Sequence, residues 1–145
     1  MARMVRTGHP VVDLLTQARE CLAEAAIADT TGARFAAAHL AALRTGAAVL
    51  AARGREAGGK RSRRGPRNVW SDLAKVAPEL SEWAEFFAAN AGKRPAAQAG
   101  VAGVVSPREA DDLLRDADAF CRLVCVVLGL PVPAVTGDGA LALAV

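Results

Sequence analysis

The sequence contains no tyrosine, one isoleucine (Ile27), two histidines and three cysteines. Aromatic residues make up only 4% of it. β-Strands are favoured by Val, Ile, Thr and the aromatic residues, so this scarcity argues against a sheet. Three cysteines cannot build a disulfide framework, and their setting points to buried free thiols in a reducing compartment. No C-x2-C pair, H-E-x-x-H or G-x-S-x-G occurs, which leaves no zinc-ligand motif and no nucleophile elbow. No residue pattern calls for a metal ion or an organic cofactor. The first ten residues have no apolar stretch long enough for a signal peptide. The stretch Leu123–Thr136 is interrupted by Gly129, Pro131 and Pro133, so it cannot form a continuous spanning helix. A cytoplasmic protein with no membrane association is expected.

Alanine is abundant, at 34 of 145 residues, and it is the strongest helix former. With 52% apolar and 23% charged residues the chain is not a disordered one. Its length suits one domain with its own core. We therefore expect an all-α, up-and-down bundle of four to five helices without a sheet. The bundle should span residues 10–129, followed by an apolar, Gly- and Pro-containing tail over 130–145 that is mobile or loosely docked.

The periodicity places the elements. A first helix is expected from about Pro10 to Ala28, with Val11, Leu14, Leu15, Ala18, Leu22 and Ala25 on one face. A second follows from about Ala33 to Arg53. Its only clearly polar side chains between Phe35 and Ala52 are His39, Arg44 and Thr45, so it belongs in the middle of the bundle. A short helix capped by Asn68 should end near Pro78, and another should run from Glu79 to Asn90. The stretch Ala91–Val105 reads as a loop with one helical turn at Ala96–Ala99. The final helix starts at Ser106-Pro107-Arg108-Glu109, a capping box with Pro in first position, and stops at Gly129.

Charge is unevenly distributed. Arg53, Arg55, Lys60, Arg61, Arg63, Arg64 and Arg67 face a single acid, Glu56, giving Arg53–Arg67 a net +6. The remainder has 11 basic and 14 acidic residues, a net −3. An Arg-dominated, Gly-rich loop suits forked contacts to phosphate oxygens, so these seven residues are candidate contacts to RNA or DNA. No Phe or Tyr interleaves them, so base stacking receives no support. A solvated loop, or one meeting acidic groups of a partner protein, is the plainer reading.

Two further groups deserve weighing. Cys121 and Cys125 lie four apart on an apolar stripe, where packing explains them better than ligation. Arg34 and His39 lie five apart, about 140° round an ideal helix, so as regular helix residues they diverge. In a loosened first turn they would instead line one groove. Residue physics favours a packed, hydrogen-bonded imidazole and a surface arginine.

The stretches RFAAAHLAALRTGAAVLAAR (Arg34–Arg53), VWSDLAKVAPELSEWAEFFA (Val69–Ala88) and SPREADDLLRDADAF (Ser106–Phe120), in this order, resemble the HEPN superfamily (higher eukaryotes and prokaryotes nucleotide-binding domains). Within it they are most similar to short standalone actinobacterial proteins. The resemblance implies an all-α bundle that is usually dimeric. Active members are metal-independent ribonucleases that use an Arg and a His with four to six residues between them. Arg34 and His39 match that spacing, although the residue after the Arg is Phe35 where the family commonly has a polar one. The later helix, near which the active pair usually sits, has Arg108 and Arg115 but no His. Many members lack the pair and serve as binding or assembly domains.

Three readings stand at this point. A noncatalytic module would contact nucleic acid or a nucleic-acid-processing partner through the basic loop. An endoribonuclease would use Arg34 and His39. A protein-interaction module would present apolar groups such as Trp70 or Trp83. A homodimer is expected on the resemblance.

Overall fold

A computed structural model describes residues 2–54, 68–135 and 141–142, with side chains in 10–54 and 68–133. It contains α1 (Ala2–Ala26), α2 (Thr31–Arg53), α3 (Val69–Val76), α4 (Ser81–Ala91), α5 (Arg94–Gln98) and α6 (Pro107–Val127). A 3-10 turn, Pro78–Leu80, links α3 to α4. The bundle is all-α. One short antiparallel ladder, Ala134 with Ala142 and Val135 with Leu141, lies in the tail outside it. The expected all-α bundle without a sheet is what the described residues form, and these two residue pairs lie beyond its last helix.

The helix ends follow local chemistry. Thr30 accepts from the Ala33 N–H at 3.1 Å, and Asn68 accepts from that of Ser71 at 3.2 Å. Ser106 and Glu109 exchange bonds of 3.0 and 2.8 Å, completing the expected capping box. At the other end of α6, Gly129 takes φ +72°, which only glycine adopts at little cost. Its N–H meets the Val126 carbonyl at 3.1 Å, and the Leu130 N–H meets that of Cys125 at 2.8 Å. This reciprocal pair closes the helix.

Two boundaries differ from the periodicity. The first helix begins at Ala2 and runs through Pro10, whose missing N–H forfeits one backbone bond rather than starting the helix. The helical turn expected at Ala96–Ala99 is α5, which starts two residues earlier at Arg94 with Pro95 in its first turn. Among the described residues six helices therefore stand where four to five were expected.

Helix α2 is the bundle's centre and packs against α1, α3, α4, α5 and α6. Its small side chains let the neighbours approach closely. At Gly46 a β-carbon would lie 3.1 Å from Val69 and 3.3 Å from Trp70, so glycine there admits α3. The helix-propensity cost of Gly46 is offset by this contact. Alone among the described helices, α2 is long and apolar enough to cross a membrane, and its burial as the core helix accounts for that.

The few aromatic residues are concentrated on the α3, α4 and α6 side. Trp70 stacks on Phe87 at 5.3 Å, Trp83 on Phe120 at 5.4 Å, and Phe87 meets Phe120 at 5.2 Å between ring centres. Such pairs add to the stabilisation that burial itself provides. Trp70 is 6% exposed and Trp83 is half-buried, so neither forms the exposed apolar surface considered above. Among the described residues the large apolar side chains that do face solvent are Val12, Ile27, Phe86, Val101 and Val126.

The tail begins docked. Leu130 and Val132 pack against the core, and Arg122 Nη1 donates to the Pro133 carbonyl at 3.0 Å. Residues 136–140 and 143–145, on which the expected mobility also rests, lie outside the described residues.

Candidate functional site

Arg34 stands in the first turn of α2, where its own backbone N–H bonds the Thr30 carbonyl at 3.0 Å. Its Nε donates to the Ala25 carbonyl near the end of α1 at 3.1 Å. Its Nη1 donates to Asp111 Oδ1 at 2.6 Å. One guanidinium thus fastens the ends of α1 and α2 to the beginning of α6. The side chain keeps 32% exposure, and Asp111 keeps 59%.

His39 lies one turn further along and points elsewhere. It is 1% exposed. Its Nε2 stands 2.9 Å from the Phe87 carbonyl of α4. A carbonyl only accepts, so Nε2 carries the proton and the neutral ring keeps a lone pair on Nδ1. Nδ1 has no hydrogen-bond partner among the described residues. The edges of Trp70 and Phe87 close round the ring at centroid distances of 6.1 and 6.4 Å. Burial holds the imidazole pKa below its ordinary 6.5; the Phe87 carbonyl opposes that shift and the Arg94 charge adds to it.

The structure therefore does not bring the two residues together. Arg34 is engaged at the α1–α6 side, whereas His39 is enclosed on the α4 side. A phosphate poised between them would need Arg34 to leave Asp111 and His39 to reach solvent.

Of the seven candidate phosphate contacts, Arg53 is the one described. It ends α2, and its Nη1 donates to Glu79 Oε2 at 2.6 Å. Arg55, Lys60, Arg61, Arg63, Arg64 and Arg67 lie outside the described residues. Asp111 and Glu79 were not singled out from the sequence. They stand 77 and 26 positions from their arginines, and no local pattern joins residues so far apart.

The cysteines line the helix contacts as free, buried thiols. Burial raises the Cys121 pKa to about 11, against a small opposing effect from a bond with Thr45. Among the described residues no group of three or more His, Cys, Asp or Glu side chains could hold a metal ion.

No curated protein and no solved structure matches this chain. The family model described as SAV_6107-like HEPN matches residues 25–125, from the end of α1 to the last turns of α6. That match covers both Arg34 and His39, the whole of α2 and its packing partners from α3 to α5, and the capped start of α6. The chain belongs to the HEPN superfamily, in its SAV_6107-like family.

Proposed function

We propose that this HEPN protein is a noncatalytic module that contacts nucleic acid through the basic segment Arg53–Arg67. One observation carries the reading: a net +6 is confined to Arg53–Arg67, the last residue of α2 and the connection that follows it, on a chain otherwise at −3. Clustered arginines neutralise phosphates and release counterions, giving affinity that falls as salt rises and depends little on sequence. Acid–base catalysis by His39 is disfavoured, because its proton-bearing nitrogen is committed to Phe87 and the ring is closed off. A cytoplasmic setting suits three free thiols. A homodimer completes the proposal.

The test is filter binding of a single-stranded RNA and a DNA of equal length over a range of salt. Replacing Arg61, Arg63 and Arg64 together by Ala should weaken binding and lower the salt slope by about 2, near 0.7 for each lost contact. A parent protein that binds neither, or a triple variant with unchanged affinity and slope, would refute the proposal. Pull-down of a protein partner dependent on the same arginines would then favour the interaction reading.

A further inference from the structure

Arg53 opens the basic segment, yet its guanidinium already has an anion. The Glu79 carboxylate stands 2.6 Å away, with 28% of the arginine and 49% of the glutamate side chain exposed. Glu79 is well placed to stay there. It occupies the middle of the 3-10 turn Pro78–Leu80, which is rooted in the core by Leu80 at 1% exposure. Its carboxylate is bonded by its own backbone N–H as well as by Arg53, which together hold it ionised below its ordinary range. On the other side, Arg53 lies in the last turn of α2, where unpaired carbonyls favour a fixed cation.

We propose that Glu79 is a positioning residue that keeps Arg53 as an internal counter-ion, withdrawn from phosphate contact. The inference rests on the nucleic-acid reading above and refines it. The net +6 of the segment then overstates its working charge by one. The pair also fixes the end of α2 against the 3-10 turn, so the basic segment departs from an anchored point. An approaching phosphate must displace a carboxylate already oriented by the fold, a competition it enters at a disadvantage.

The experiment compares salt slopes for a 20-nucleotide single-stranded RNA across the full-length parent, Glu79→Gln, Glu82→Gln and the double variant Glu79→Gln with Arg53→Ala. Circular dichroism melts confirm that each is folded. Releasing Arg53 in Glu79→Gln should raise the slope by about 0.7 and strengthen binding at 50 mM salt by about threefold to tenfold. Glu82→Gln removes the same charge from an exposed position on α4 and should leave the slope unchanged. The double variant should lose the gain. An unchanged or lower slope in Glu79→Gln, an equal gain in Glu82→Gln, or a gain that survives loss of Arg53 each overturns the inference while leaving the nucleic-acid reading intact. A parent that does not bind RNA overturns both.

Discussion

The Nε2–H of His39 donates to the backbone carbonyl of Phe87 across 2.9 Å, joining the central helix α2 to α4 inside the core. Burial holds the ring neutral even though this carbonyl favours the protonated form, and protonation would put a charge among Trp70, Phe87 and the nearby Arg94. Because the folded pKa lies below the unfolded 6.5, the unfolded chain takes up the proton first as pH falls. Stability should therefore be undiminished by this group above about pH 6.5 and should decline below it. The decline is at most about 1.4 kcal/mol per pH unit for one group. Urea unfolding from pH 7.5 to 5 should show this dependence in the parent and lose it in His39→Leu. Equal pH profiles for the two proteins would show that His39 titrates freely.

Arg34→Ala should cost about 1–2 kcal/mol, combining a lost charged bond to the Ala25 carbonyl with a half-exposed ion pair to Asp111. Arg34→Lys should recover only part of it, since an ammonium cannot span both acceptors in that fixed forked geometry. Denaturant midpoints at constant slope provide the measurement. A fully stable Arg34→Ala variant would remove the structural role.

The extent to which this was readable beforehand differs by level. Helical class, the centrality of α2 and the Ser106–Glu109 cap follow from composition, an apolar helix surface and a local motif. Each depends on residues close in the chain. Helix α5 was legible only as a single turn at Ala96–Ala99, because Gly92, Gly100 and Gly103 bracket only five helical residues, too few to show a period. The spacing of Arg34 and His39 was visible, but whether they diverge or share a groove turned on the geometry of the first turn of α2, which the spacing alone does not decide. Their partners were not, because Phe87 and Asp111 arrive only through the tertiary packing of α4 and α6.

Phe120 touches Trp70, Trp83 and Phe87 and is fully buried, so Phe120→Ala should cost about 3–5 kcal/mol. Thermal unfolding with tryptophan fluorescence reads the loss directly, since both tryptophans border the ring. A cost below about 1 kcal/mol would mean that this aromatic cluster is not packed as described.

The three thiols should resist modification in the folded state. Cys121, at a pKa of about 11 and 2% exposure, is almost wholly protonated at pH 8, and the thiolate is the reactive form. Ellman's reagent at pH 8 should label all three only after denaturant is added. Rapid labelling of any of them in native buffer would contradict their burial.

The central claim is that the protein holds nucleic acid without cutting it. The most direct measurement incubates purified parent with end-labelled single-stranded RNA in EDTA, measures retention on a filter across salt, and then resolves the recovered RNA on a denaturing gel. The expected result is salt-sensitive retention, weakened in the Arg61, Arg63 and Arg64 triple alanine variant, with the RNA recovered at full length. RNA recovered as fragments by the parent but intact with an equally stable His39 variant would contradict it.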